Sequence, residues 1–483
     1  MDFSSLPFLF IFLPIFLIVF LPAKKTARFA IISIANLIFL VWGQAIALGW
    51  LLLIVGTTYA LGRAVSFYKK KNSQYRVWVW SAIIINVLLL AFHKINTAYG
   101  VYLFPKIGLP AEWTSSLGSL VVPLGLSYVT FQAISYVVDI SRSAISAETN
   151  FFKLAAYLLF FPKLVSGPLM RYKSFSEQID DLEVSVVDVA SGSKRLLIGF
   201  LKRTLIANQL GLVVNAAFGL PSANFAPHIA WLVLIAYSLQ IYFDFSGYTD
   251  MALGLGRMMG IKLPENFNYP YSAESISDFW RRWHISLTTW FREYVFYPLE
   301  RRRFKWSGQQ INIVIVFVLT GLWHGVQPHF VAWGLLHGLV LSVESLGLGQ
   351  ILKRLWRPLR HLYTLSIIML GWIFFRSENL RFALSFIKRL AGNNEEITIL
   401  PFSQTTPLPF IEPSFILALA IGLILSLRIE GILANPDNNL KLANRSVLLG
   451  IQISGDVLLI LLFIVGLASI LSNGFLPNIY ANF

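Results

Sequence analysis

The sequence predicts an all-α, polytopic integral membrane protein with about 11–13 transmembrane helices plus re-entrant or interfacial helices. Three observations lead there. Of 483 residues, 56% are apolar and only 13% charged, where soluble domains carry roughly a quarter charged. Mean hydropathy is +0.66. The apolar residues fall in long runs, and the basic residues sit in short clusters between them. The net charge of +15 therefore reads as an orientation signal, with no nucleic-acid partner implied. Cysteine is absent, which excludes disulfides, a thiol nucleophile and thiolate metal sites.

Met1 to Pro22 contains an apolar run without a basic leader or a small-residue cleavage site, and reads as a retained first span with its N-terminus outside. Lys24, Lys25 and Arg28 follow it, and Arg63, Lys69, Lys70, Lys71 and Arg76 follow span three. The link Gly43 to Ala47 carries no basic residue, as an outside turn requires. Span four, near Val77 to Ala91, leads to an outside loop from His93 to Trp113, and span five, Leu117 to Ile140, returns.

Beyond this point charged and Gly/Pro residues interrupt the apolar runs at Lys163 with Gly167 and Pro168, at Asp244 to Asp250, and from Pro264 to Lys305. Lipid does not tolerate such interruptions in direct contact, so they mark protein interior or a cavity. Further spans are expected near Ile311–His324, Phe330–Val343, Leu362–Phe375, Phe415–Leu427 and Val447–Leu471, with a loop over Asn393–Pro413. The chain reads as one membrane domain, 1–483, with N-terminal spans over 1–112, a core over 113–345 and C-terminal spans over 346–483.

Ionisable residues near the membrane are where chemistry should be sought. His93 and His361 lie at span edges and His228 in a loop, so all three read as interfacial. His324 differs: it ends an apolar helix within Gly321-Leu322-Trp323-His324-Gly325, where glycines allow close backbone approach and an indole excludes water. A neutral imidazole there suits proton transfer, and a satisfied core histidine is the competing reading. His284 lies in the aromatic and basic stretch Asp278 to Trp290, which either lies flat at the interface or enters a water-filled funnel. In the funnel, Arg281 and Arg282 would hold phosphates of a nucleotide-linked acyl donor; lying flat, they would bind anionic lipid. Trp280, Trp283 and Trp290 read as an interfacial belt.

Asp244 and Asp250, six residues apart, fall on different helical faces and cannot form one acid–base pair, so Asp244 is expected to bond a neighbouring helix. Gly254-Leu255-Gly256-Arg257-Met258-Met259-Gly260 has the wrong spacing for a dinucleotide fingerprint and reads as small residues for helix contact. Hydrolase and NTPase signatures are missing from the sequence, and no metal-ligand spacing occurs.

An ordered series of motifs remains. It runs through Pro123-Leu124-Gly125-Leu126-Ser127-Tyr128, Phe161-Pro162-Lys163 to Gly167-Pro168, and Asp244-Phe245-Ser246-Gly247-Tyr248-Thr249-Asp250. Glu265-Asn266-Phe267-Asn268-Tyr269-Pro270-Tyr271, Trp280 to Trp290, Trp323-His324-Gly325 and Trp333-Gly334-Leu335-Leu336-His337-Gly338 follow. With these the chain resembles the membrane-bound O-acyltransferases, and within them the bacterial alginate O-acetyltransferase membrane-subunit branch.

The resemblance implies a helical funnel or tunnel with its catalytic core over 113–345, His324 as the catalytic residue and His284 as a second functional position. It implies substrate and donor contacts from Arg281, Arg282, Trp283, Trp323, Asn266, Asn268 and Asp244. His324 would act as general base or carry the acyl group briefly. No bound cofactor or metal is implied. The donor is acetyl-CoA or another acyl thioester, from coenzyme A or a carrier protein, and the acceptor a polysaccharide outside a bacterial inner membrane. Membrane lipid and an extracytoplasmic acetyltransferase or esterase-like protein are the further implied partners. The chain departs from the branch at Pro298-Leu299-Glu300-Arg301-Arg302-Arg303, where Pro-Leu-Gly-Gly is usual, and at Asn208, where an Asp is expected. Alternatives are D-alanyl transfer to teichoic acid-type polymers and, in a different class, a transporter or flippase using the same polar interruptions.

Overall fold

A computed structural model describes residues 2–106, 108, 122–219, 226–301, 308–392, 411–427 and 445–473. Much of the expected loop after Asn393, together with Arg302 and Arg303, lies outside the described residues. Those described are helical apart from turns, irregular connections and one isolated bridge, Phe267 to Trp283.

Seven described helices are long and apolar enough to cross a membrane, and Phe8–Phe20 (α1), Gln309–His324 and Pro413–Ser426 are shorter apolar helices. The helix Lys25–Lys70 (α2) has 46 residues, about 69 Å at 1.5 Å per residue and twice the hydrocarbon thickness. It breaks at Gln44, whose φ of −166° and ψ of 83° are non-helical, inside the turn expected at Gly43 to Ala47. Counted as two spans, it brings the long helices to eight, and the three shorter apolar helices bring the described apolar segments to eleven, the lower end of the expected range.

The described residues form two compact units, one from 2–193 and 252–264, the other from 194–251 and 265–473. In the first, α1 and α2 pack through Phe8, Phe12, Phe16 and Phe39 around Phe161. The Gln44 amide holds the break by donating to Val122 O and accepting from Leu124 N–H. The helix Tyr75–Lys106 (α3) continues well past Ala91, into the stretch from His93 expected as a loop. His93 is buried within it against Trp50, with ring centroids 5.0 Å apart. It is a core residue, since an imidazole is less costly to bury neutral than a fixed charge.

Span five begins as described helix only at Leu126, in Leu126–Ser141 (α4). Gly125 precedes it at φ 77°, and a Cβ there would lie 2.3 Å from Leu164 O. Glycine is therefore required where two of the motifs touch. The short helices Phe151–Leu158 (α5), Phe161–Leu164 (α6) and Tyr172–Asp180 (α7) follow. Phe161 N–H donates to Asn36 Oδ1 at 2.9 Å. Lys163 is fully buried, its Nζ donating to Gln132 Oε1 and lying 3.7 Å from the Tyr157 ring centroid. Gly192 of the next helix meets Gly254 closely, as expected of small residues for helix contact.

The second unit takes most of Val186–Phe218 (α8) and Pro227–Met258 (α9). α9 runs unbroken through Asp244 to Asp250, where the apolar pattern is interrupted. Its charges are matched from α8: Arg203 Nε donates to Asp244 at 2.9 Å, Lys202 pairs with Asp250 at 2.6 Å, and Arg195 bridges Asp250 and Glu265. Asp244 thus bonds a neighbouring helix as expected. Beyond α9 come Ile276–Arg282 (α10), Ile285–Phe291 (α11), Tyr297–Arg301 (α12), Gln309–His324 (α13) and Pro328–Val343 (α14). Gly349–Arg354 (α15), Arg357–Arg376 (α16), Leu380–Leu390 (α17), Pro413–Ser426 (α18) and Arg445–Asn473 (α19) complete it.

Candidate active site

Two antiparallel helices with almost no room between them carry His324. A Cβ on Gly321 would lie 2.4 Å from Phe330 O, and one on Gly334 would lie 2.4 Å from Phe317 O, so α13 and α14 meet backbone to backbone. The helix α13 ends on His324, and Gly325 N–H donates to Gly321 O at 3.0 Å. His324 is 5% exposed. Trp323, Phe375 and Trp333 surround it, with ring centroids at 4.5, 4.8 and 5.3 Å. His329 fixes α14 to α16, its Nδ1 donating to Phe374 O at 3.0 Å.

His284 occupies the turn between α10 and α11 at φ 47°. The Glu265 to Tyr271 motif builds that turn: Asn268 N–H donates to Arg282 O, and Ile285 N–H donates to Asn266 O, both at 3.0 Å. The Asn266 side chain, fully buried, does more. Its Oδ1 accepts from Ser286 N–H at 3.1 Å and Ser286 Oγ at 2.9 Å, and faces His284 Nδ1 at 3.2 Å. A backbone N–H can only donate, so the atom it meets is the amide oxygen. That oxygen places the histidine proton on Nδ1 and the lone pair on Nε2. Burial pushes the His284 pKa down to about 3, keeping the ring neutral. Phe245 meets it edge-on at 4.7 Å.

A single indole links the two histidines. Trp323 lies 4.5 Å from His324 and 6.5 Å from His284, centroid to centroid. His324, Trp323, His284 and Asn266 therefore stand together in one unit, although 58 positions separate Asn266 from His324.

The other expected residues fall differently. Arg281 and Arg282 share Asp278, at 3.2 and 3.0 Å, and the Arg281 side chain is 64% exposed. Asn268 is exposed beside them, its carbonyl accepting from Arg282 at 3.4 Å. Trp283 is buried among Trp372, Phe267 and Phe279 at 5.0–5.5 Å. The interfacial belt expected of Trp280, Trp283 and Trp290 is not formed: all three are interior. The reason is that α10 packs against α14 and α16 rather than lying flat at a membrane surface. His361 is half-buried with Nδ1 donating to Ala273 O at 3.0 Å, and His228 is exposed in the first turn of α9.

Three groups had no individual signal in the sequence. Glu344 accepts from Ile276 N–H and Ser277 N–H at 2.8 and 2.9 Å, fixing the start of α10. A carboxylate is favourable at that end of a helix. His337, buried on α14, touches Trp280 and Trp333 at 5.2 and 5.1 Å; only its place in a motif marked it. Arg203 is the buried partner of Asp244. Glu300, at the departure from Pro-Leu-Gly-Gly, accepts from Asn312 Nδ2 at 2.6 Å, tying α12 to α13. Among the described residues no group of three His, Asp or Glu is arranged to hold a metal ion.

Residues 38–385 match the membrane-bound O-acyltransferase family. The chain is 35% identical to the probable alginate O-acetylase AlgI of Pseudomonas aeruginosa, over 79% of this chain and 73% of that one. It is 35% identical to the peptidoglycan O-acetyltransferase of Helicobacter pylori, over 67% of this chain and 66% of the other. The teichoic acid D-alanyltransferase of Bacillus subtilis is 32% identical over 53% of this chain and 67% of its own. A family match spanning most of the chain, over a helical membrane fold, establishes that the chain belongs to the membrane-bound O-acyltransferase family and is a multi-pass membrane acyltransferase.

Proposed function

We propose that the chain is an O-acetyltransferase of a bacterial inner membrane, passing acetyl from a cytoplasmic thioester, acetyl-CoA or an acyl carrier, toward hydroxyls of an extracellular or cell-wall polysaccharide. The observation that carries the reading is the buried pair His324 and His284, both beside Trp323, within the family-matching part of the chain. His324 takes the proton of the acceptor hydroxyl, on the glycan itself or on the partner that hands the acetyl on to it, as that oxygen attacks the thioester carbonyl. The carbon–sulfur bond breaks, and the proton passes to the leaving thiolate. The surrounding aromatic rings exclude water, which keeps hydrolysis of the thioester from competing. His284, held by Asn266 with Nε2 as acceptor, is the second functional residue.

Arg281, Arg282 and the exposed Asn268 are assigned to the donor. Arg281→Ala should raise the donor KM about tenfold with little change in kcat, the loss of one charge-assisted phosphate contact. Transfer to the glycan is completed with an extracytoplasmic acetyltransferase or esterase-like partner. The test follows radiolabelled acetyl from acetyl-CoA into envelope glycan in membranes containing the native chain or His324→Ala at matched abundance. Label dependent on His324 is expected. Equal label in both removes His324 from the mechanism, and incorporation of D-alanine instead selects the carrier-dependent alternative. Solute uptake by proteoliposomes that survives His324→Ala would select a transporter.

A further inference from the structure

The two helices that bring rings to His324 from outside its own helix also grip the chain where it enters α10. Helix α14 places Trp333 5.3 Å from the His324 ring, and α16 places Phe375 at 4.8 Å. The other ends of both helices hold the segment 273–278. Glu344, the residue after α14, is 7% exposed. Its Oε1 accepts from Ile276 N–H at 2.8 Å and from the Tyr363 hydroxyl of α16 at 3.2 Å, and its Oε2 accepts from Ser277 N–H at 2.9 Å. From the start of α16, Arg357 and Arg360 pair with Glu274 at 2.8 and 2.6 Å, and His361 Nδ1 donates to Ala273 O at 3.0 Å.

The helix α10 depends on that grip. It has seven residues, and helices shorter than about 12–15 residues are marginal on their own. Ile276, Ser277 and Asp278 carry its first N–H groups, which no carbonyl of the helix can reach. Glu344 accepts from two of them and the Ser275 hydroxyl from the third, at 3.0 Å. One turn further on, Trp280 lies edge-on to Trp333 and His337 of α14, at 5.7 and 5.2 Å. Two fixed points on so short a helix set both its height and its rotation against α14. The residues it carries are placed with it: Arg281 and Arg282 on its last turn, and His284 two residues past its end.

The geometry points to Glu344 as a positioning residue for acyl transfer: by fixing the first turn of α10 it sets where Arg281 meets the donor and where His284 stands beside Trp323. It acts through the helix and not on the substrate. This role rests on the donor and His284 assignments proposed above. A carboxylate serves both backbone donors, one on each oxygen. The amide of a glutamine has one oxygen and turns its NH2 toward the other donor.

The label assay in membranes, run over a range of acetyl-CoA concentrations at matched abundance of folded full-length chain, tests this. Glu344→Gln should lower kcat about tenfold, since misplacement by about 1 Å costs up to about a hundredfold, and raise the donor KM about fivefold. Ser275→Ala removes the remaining cap of the same turn and should move both constants the same way, about threefold. It carries the test if Glu344→Gln does not fold. Adding Glu344→Gln to Arg281→Ala should leave the donor KM where Arg281→Ala alone puts it, because the contact being displaced is already gone. Native kcat and KM in the folded fraction of both single variants, with only yield or melting temperature lowered, reduce Glu344 to packing and overturn the proposal. Increases in KM that multiply in the double variant overturn it as well. A native KM in Arg281→Ala alone removes the donor assignment instead, and kcat in Glu344→Gln then decides the role of Glu344.

Discussion

The backbone of His284 sits at φ 47°, a left-handed conformation that costs a non-glycine residue about 1–3 kcal/mol and persists only where surroundings impose it. Here Asn266 imposes it, with one side-chain oxygen serving Ser286 N–H, Ser286 Oγ and His284 Nδ1. Asn266→Ala strands three buried donors, at about 1–3 kcal/mol each when unsatisfied. It should lower the melting temperature markedly and acetyl transfer with it, read by thermal unfolding in detergent beside the label assay. The same burial sets a pH dependence. The His284 pKa is depressed from 6.5 to about 3, so between those values the unfolded chain binds a proton that the folded chain does not. Stability is complete above pH 6.5 and falls as pH drops through the window, by at most ~1.4 kcal/mol per unit. His284→Gln should flatten that part of the slope in melts recorded from pH 4 to 8. A parallel fall in both proteins would assign the slope to other groups. Individual histidines in sequence gave the His324 and His284 candidates, but burial of His93 and His337 was not legible, because helix neighbours decide it.

At the scale of elements, glycines decide which helices can approach. The helices α13 and α14 meet where Gly334 would place a Cβ 2.4 Å from Phe317 O. That atom is backbone and cannot swing aside. Gly334→Ala should force the hairpin apart, displace Trp333 from His324 and sharply lower both folded yield and transfer. Gly56, on α2, has open space where a Cβ would stand, with nothing within 4 Å, so Gly56→Ala should be neutral or stabilising by about 0.5–1 kcal/mol. Comparing the two variants by size-exclusion yield and thermal unfolding separates close approach from helix propensity. The motifs around these glycines were visible in sequence; that Gly321 and Gly334 face Phe330 and Phe317 was not, since the crossing point depends on tertiary register.

For the whole molecule, orientation follows from charge. Lys69 to Lys71 close α2, while the far end of α3 reaches Lys106, and the positive-inside rule assigns the first cluster to the cytoplasm. The native chain has no cysteine, so single substitutions report cleanly. Ser73→Cys should resist a membrane-impermeant maleimide in intact cells and Lys106→Cys should react. The reverse labelling would invert the assignment of donor and acceptor sides and with it the proposed direction of transfer.

The sequence by itself determined the membrane class, the turn between two spans at Gly43 to Ala47 and the family, and it singled out His324 and His284 as candidates, because hydropathy, charge clusters and ordered motifs are local properties of the chain. Only the tertiary structure decided which motifs meet. Asn266 reaches His284 because backbone bonds join the Glu265 to Tyr271 segment to the α10–α11 turn. The Trp280 to Trp290 tryptophans are interior because α10 packs against α14 and α16. Burial and hydrogen-bond partners depend on contacts between segments far apart in sequence, and composition along one segment does not contain them.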